Sequence, residues 1–187
     1  MFSSRPPNIN GLSIGLLGGS FNPPHAGHAL ITKIALARLR LDRVWWMFSP
    51  GNPLKSDAPA KLEMRVNAAQ TVMSDPRLVF TDIESQLDTR YTIDTIKALQ
   101  ARYRGTRFVW LMGEDNLAQF HRWEDGKSIA AAIPIAVFSR PGAGFPALNS
   151  RMARTFAHHR LPASKARALP LTRPPAWTLL ELSLIHI

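Results

Sequence analysis

The 187-residue chain is predicted to be an α/β protein: a doubly wound, mainly parallel sheet with helices on both faces. Three observations carry that expectation. Compact apolar runs of four to six residues recur along the chain, as strands buried on both faces require. Between them lie segments whose apolar residues return every three or four positions, the period of an amphipathic helix. The two kinds alternate, strand then helix, from one end to the other, and such alternation builds a parallel sheet whose ligands bind beyond the carboxyl ends of its strands.

The elements follow in order. Residues 1–13 carry one Arg and no apolar run, so they read as a frayed N-terminal extension and not as a signal peptide. Ile14-Gly15-Leu16-Leu17 is a buried strand running into the Gly18-Gly19 turn. A helix is expected from Gly27, with Leu30, Ile34, Ala37 and Leu41 on one face. Residues 44–48 form a second strand, 49–59 a loop dense in Pro, Gly and Asn, 61–74 a helix and 78–83 a strand. Residues 92–103 read as a helix that Thr92 would cap, and 107–112 as a strand built on Phe108-Val109-Trp110-Leu111. Short helices over 116–120 and 126–132, a strand over 133–138 and a last strand over 177–180 complete the pattern, which is taken as one domain over 1–187.

Composition bounds the function. Hydrophobic residues make up 45 % and charged residues 19 %, an ordinary globular balance. The absence of cysteine excludes a disulfide scaffold, a thiolate metal site and a cysteine nucleophile, and suits a cytoplasmic location. No run approaches the ~18–20 apolar residues that span a membrane. The formal net charge of +10 favours polyanionic ligands such as nucleotides, nucleic acid or phosphorylated metabolites. Residues 151–187, a fifth of the chain, hold six basic residues against one acidic and so carry half of that excess.

After the first strand stands Gly18-Gly19-Ser20-Phe21-Asn22-Pro23-Pro24-His25-Ala26-Gly27-His28. The glycines allow a ligand close to the backbone, the prolines stiffen the loop, and the two histidines flank the start of a helix, where free N–H groups attract anions. Histidines placed there can donate to phosphate oxygens and stabilise charge that develops on them. The string is neither a Walker loop nor a dinucleotide fingerprint. A zinc pair at His25 and His28 lacks a third ligand at metal-site spacing, and purely structural loop histidines fit the whole string poorly.

These residues resemble the His-x-Gly-His signature of the nucleotidyltransferase superfamily. In the fuller form Gly-Gly-x-Phe-Asn-Pro-x-His-x-Gly-His they resemble the bacterial nicotinate-nucleotide adenylyltransferase family. Further strings match in order. Ser49-Pro50-Gly51-Asn52-Pro53-Leu54-Lys55 is similar to the family loop that brings a basic residue to the substrate phosphates. Thr89-Arg90-Tyr91-Thr92-Ile93-Asp94-Thr95 is similar to its Ser-Tyr-Thr-x-x-Thr stretch, with a departure at the first position. Gly113-Glu114-Asp115-Asn116-Leu117-Ala118-Gln119-Phe120-His121-Arg122-Trp123 resembles Gly-x-Asp-x-Leu-x-x-Phe-x-x-Trp, and Ser139-Arg140-Pro141-Gly142 resembles its Arg-Pro-Gly.

The resemblance implies a Rossmann-like nucleotidyltransferase fold and the transfer of AMP from ATP to nicotinate mononucleotide, with release of pyrophosphate. It implies catalytic roles for His25 and His28, and ATP binding by Gly18, Gly19, Ser20, Phe21 and the same histidines. Lys55, Tyr91, Thr92, Asp115, Trp123 and Arg140 would bind the pyridine nucleotide, Trp123 by stacking on its ring. Mg²⁺ would come with ATP and no protein-held metal is implied. The expected partners are these two substrates, with no membrane and no nucleic acid; the oligomeric state is open.

One departure stands out. The family's Ser-Ser-Thr-x-Ile-Arg segment, which grips the ATP phosphates, has no counterpart after residue 180, and residues 182–187 are an atypical end expected to reflect truncation or a frame shift. Two competing readings follow. One is a sister nucleotidyltransferase acting on nicotinamide mononucleotide or pantetheine phosphate. The other is an inactive nucleotide- or RNA-binding module that uses the basic stretch 151–173.

Overall fold

The computed structural model describes residues 1–50, 59–140 and 146–182. Among them, β1 (Ser13–Gly19), β2 (Arg43–Phe48), β3 (Leu78–Thr81), β4 (Arg107–Gly113), β5 (Ile135–Ser139), β6 (Arg160–Leu161) and β7 (Trp177–Glu181) form one sheet. Its order is β3-β2-β1-β4-β5-β7-β6, and every neighbouring pair is parallel. The helices are α1 (Ala26–Arg38), α2 (Leu62–Val72), α3 (Ile83–Gln86), α4 (Thr92–Arg102), α5 (Glu114–Gln119), α6 (Gly126–Ala132) and α7 (Arg151–Thr155). The expected Rossmann-like α/β architecture is therefore present.

The strands read as unbroken apolar runs because both faces of the sheet are covered. In β2, Trp45 and Met47 point into one core layer with α3, α4 and α6, while Val44, Trp46 and Phe48 point into the other with α1 and α2. Chain direction then locates the site. From β1 the chain winds outward through β2 to β3, then returns to lay β4 on the other side of β1 and continues to β5. The order reverses between β1 and β4, which opens a crevice at their carboxyl ends. The loops after β1, β2, β4 and β5 all leave from that edge, with Gly19 beside Phe48 and Gly113 beside Phe138.

Several local expectations need correction. The start of the chain does not fray: Ser3 N–H donates to the Phe80 carbonyl and Phe80 N–H to the Met1 carbonyl, each at 2.9 Å, so the first residues line the outer edge of β3. On α1, Ala37 is exposed, and the buried side carries Ile31, Ile34 and Ala35, continuing to Leu39. The other expected positions hold: Ile34 and Leu41 are buried and Leu30 packs partly buried against the same core layer. Strand β3 stops at Thr81, and Ile83 is the first residue of α3, where it remains fully buried. Strand β5 starts at Ile135, two residues later than expected, because Pro134 has no N–H for the ladder; its carbonyl takes the Trp110 N–H at 2.9 Å. The basic stretch after residue 150 is folded, as α7, β6 and short 3₁₀ turns, the longest over Ala163–Leu171.

Candidate active site

The β1–α1 loop is built around a stack of rings. Phe21 adopts φ 46°, a left-handed conformation that costs a non-glycine residue free energy. Packing holds it there. Its ring is 2 % exposed, lies parallel to the Trp46 indole at 4.9 Å and meets Phe48 at 4.7 Å. Phe21 thus faces inward and carries the loop from beneath. His28 rests on its other neighbours, 4.8 Å from Phe21 and 5.7 Å from Trp46. Trp46 Nε1–H donates to Thr32 Oγ1 at 2.8 Å, and Thr32 Oγ1–H donates to the His28 carbonyl at 2.9 Å, which ties the start of α1 to the core.

The two histidines form a close pair with ring centres 3.9 Å apart and planes tilted by 33°. His25 is the N-cap of α1. Its Nδ1 accepts the Gly27 N–H at 3.2 Å, and His28 Nδ1 accepts the His25 N–H at 3.2 Å. Each Nδ1 is used as an acceptor, so each neutral ring carries its proton on Nε2 and keeps that N–H as a donor. Burial, reinforced by the neighbouring His25 ring and opposed by the backbone hydrogen bond, lowers the pKa of His28 from 6.5 to about 4. At neutral pH it is an uncharged hydrogen-bond donor. Gly27 leaves room for the His25 ring, since a Cβ there would stand 3.0 Å from His25 Cε1 and Nδ1 and the ring would have to shift.

Gly18 answers to a different neighbour. A Cβ would approach Trp110 Cη2 to 2.9 Å, so the glycine makes room for an indole of β4. Trp110 in turn meets Trp123 edge-on at 6.2 Å. Gly18 of β1, Trp110 of β4 and Trp123 after α5 thus lie in sequence of contact along one side of the sheet. Trp123 is half-buried, packs on Phe120 at 5.3 Å and lines a cavity of about 290 Å³ with His121, Lys127, Arg151 and Phe156. None of the other expected site residues lines that cavity. Asp115 and Arg140 meet at 3.6 Å from the ends of β4 and β5, and both are well exposed, so this pair contributes little to stability and stays open to a ligand.

Tyr91 and Thr92 stand at the start of α4. Tyr91, not Thr92, is the N-cap, and neither side chain caps the helix. The hydroxyl that bonds there is Thr95 Oγ1, to the Tyr91 carbonyl at 3.3 Å and to Thr89 Oγ1 at 2.8 Å. Tyr91 is 40 % exposed, with the Arg90 guanidinium above its ring. Ser20 is half-buried in the β1–α1 loop, and Gly19 leaves ordinary contact distance to Phe21. Lys55, Pro141, Gly142 and residues 183–187 lie outside the described residues.

Two charged residues escaped sequence reasoning. One is Arg65 of α2, taken up below. The other is Glu84 of α3, whose carbonyl accepts the Thr89 N–H at 3.1 Å. Burial raises its carboxyl pKa from 4.5 to about 7. Between these values the folded state keeps a proton that the unfolded state has lost, so stability falls as pH rises and the full cost is present above 7. Glu84→Gln is therefore expected to stabilise the protein by about 1–2 kcal/mol near pH 8 and to make no difference below about pH 4. Urea melts at the two pH values check this; equal stability of both proteins at the higher pH would contradict it.

Residues 16–173 match the cytidylyltransferase-like family, which makes the chain a nucleotidyltransferase. A Cereibacter sphaeroides relative is 53 % identical over 174 residues, covering 93 % of this chain and 92 % of its own. One from Rhizobium johnstonii is 48 % identical over 177 residues, covering 94 % and 89 %. Both carry the name "probable nicotinate-nucleotide adenylyltransferase". The chain belongs to the nicotinate-nucleotide adenylyltransferase family. Among solved structures, the Plasmodium falciparum nicotinic acid mononucleotide adenylyltransferase complexed with APC aligns with a TM-score of 0.63 at 15 % identity, over 91 % of this chain and 74 % of that one, a likeness of fold.

Proposed function

We propose that this protein joins nicotinate mononucleotide to the AMP moiety of ATP, giving nicotinate adenine dinucleotide and pyrophosphate. The observation that carries the reading is the His25–His28 pair at the start of α1, both Nδ1 atoms committed to backbone N–H groups, in a chain of this family. A phosphate oxygen of the mononucleotide attacks the α-phosphorus of ATP, the bond from that phosphorus to the bridging oxygen breaks, and pyrophosphate leaves with the electron pair. Positioning and charge stabilisation suffice for such a transfer. The Nε2–H groups of His25 and His28 donate to the α- and β-phosphates, with Gly18, Gly19 and Ser20 forming the backbone beside them.

Mg²⁺ is part of the ATP substrate in this reading. Among the described residues no group of three His, Asp or Glu could cage a metal, and the donors at the β1–α1 loop are imidazole and amide N–H groups that suit phosphate. No helix among the described residues is long and apolar enough to cross a membrane.

Tyr91, Thr92, Asp115, Trp123 and Arg140 are assigned to the pyridine nucleotide on the family pattern, as is Lys55, which lies outside the described residues. Trp123 supplies the flat ring for stacking. Trp123→Ala is expected to raise KM for nicotinate mononucleotide roughly 10-fold while KM for ATP stays within about 2-fold. Steady-state kinetics with each substrate varied in turn measure both, and an unchanged KM for the mononucleotide would remove Trp123 from the pocket.

A further inference from the structure

One side chain links the loops after β1 and β2 from behind. Arg65, in the first turn of α2, is 5 % exposed. Its Nε–H donates to the Ala60 carbonyl at 2.7 Å, and its Nη1 donates to the Ser20 carbonyl at 2.7 Å and to the Ser49 carbonyl at 3.0 Å. Ser20 belongs to the loop that carries His25 and His28, and Ser49 opens the loop after β2. A backbone bond from Ser49 N–H to the Gly19 carbonyl, 3.0 Å, runs alongside. The guanidinium also lies 5.8 Å above the Phe48 ring, which touches Phe21, which touches His28.

Peptide planarity gives these bonds a consequence for ligand binding. In a trans peptide the carbonyl and the following N–H point in opposite directions. Holding the Ser20 carbonyl on Arg65 turns the Phe21 N–H away from the guanidinium, and holding the Gly19 carbonyl on the Ser49 N–H turns the Ser20 N–H away from Ser49. The direction of these two amide donors is thus set from the side opposite to them. Only a planar fork does this at three carbonyls from one buried position; an ammonium at the end of a flexible stem does not.

We propose that Arg65 is a positioning residue for the phosphate-binding loop, aligning its amide donors and the histidine pair by holding the Ser20 and Ser49 carbonyls. The role rests on the adenylyltransferase reading above. It contacts no substrate in this account, and its effect on the reaction is geometric, where a misplacement of about 1 Å is enough to cost ~100-fold in rate.

The test compares wild type, Arg65→Lys and Arg65→Met. Arg65→Lys keeps the charge and most of the stem but loses the fork. It is expected to melt close to the wild type, to lose ~10- to 100-fold in kcat when assayed well below its melting midpoint, and to bind ATP·Mg²⁺ about 10-fold more weakly by calorimetry. Arg65→Met removes charge and fork together and is expected to lose more of each; if it fails to fold, Arg65→Lys decides the matter. A folded Arg65→Lys protein with wild-type kcat and wild-type ATP affinity would overturn the proposal, leaving Arg65 a purely structural residue whatever its melting point. A wild-type chain that binds ATP without releasing pyrophosphate would contradict the adenylyltransferase reading, and the calorimetric comparison would still decide Arg65. A wild-type chain that does neither overturns both.

Discussion

His28→Ala is expected to lower kcat by ~10²- to 10³-fold, the scale seen when a preorganised donor to developing charge is deleted. The reason lies in how the ring is held. Its Nδ1 takes the His25 N–H, Phe21 and Trp46 wall its sides, and the Nε2 proton is the one that remains to be given. A mobile histidine at the surface would have to be ordered during the reaction; this one is fixed beforehand. The same substitution carries a second signature. Because the pKa of His28 is lowered to about 4 from 6.5, the folded state takes up fewer protons than the unfolded state between those values. Stability contributed by keeping the ring neutral is present above 6.5 and is lost as pH falls toward 4. His28→Ala therefore becomes less acid-sensitive while it loses activity. Single-turnover rates at neutral pH and urea melts at about pH 5 and 7 read the two effects separately. Undiminished turnover would remove His28 from the catalytic role.

Trp46→Ala is expected to destabilise the protein by about 3–5 kcal/mol, a large share of a typical domain's stability. Trp46 is fully buried, carries Phe21 flat against its ring and holds Thr32, which holds the His28 carbonyl. Its loss leaves a cavity beneath the β1–α1 loop, and Phe21 would lose the stacked ring that helps to maintain its left-handed backbone. Trp46→Phe separates the two contributions. It preserves most of the stack but leaves the Thr32 hydroxyl without its donor, and is expected to cost about 1 kcal/mol. Denaturant melts measure both variants. A Trp46→Ala protein within about 1 kcal/mol of wild type would show that the loop does not depend on this ring.

What was legible in the sequence and what was not divide along physical lines. The sheet was legible because strands buried on both faces leave uninterrupted apolar runs, and β1, β2 and β4 lie where those runs are. The candidate loop stood out because histidines, glycines and prolines are concentrated in one string, from Gly18 to His28. Side-chain facing was harder to read. On α1 the expected stripe erred at Ala37 alone, a residue too small to show in sequence which way it faces, and Thr92 looks like an N-cap although Tyr91 occupies that place in the chain path. The region between β5 and β7 was not legible at all. It is built from α7, a two-residue strand and 3₁₀ turns containing Pro170, none of them long enough to show a period. Arg65 left no trace because its partners are backbone carbonyls, which every residue has. Gly18 also has a packing role that the sequence does not show: a Cβ there would meet the Trp110 ring, 92 positions along the chain, which only the fold brings to it.

The most direct measurement is pyrophosphate release by the 187-residue chain with ATP and Mg²⁺, offered nicotinate mononucleotide, nicotinamide mononucleotide or pantetheine phosphate in turn. The expected result is release with nicotinate mononucleotide, a kcat/KM at least ~10-fold lower with the nicotinamide form, and none with pantetheine phosphate. Release that favours either alternative substrate, or none with any of the three, would contradict the assigned reaction.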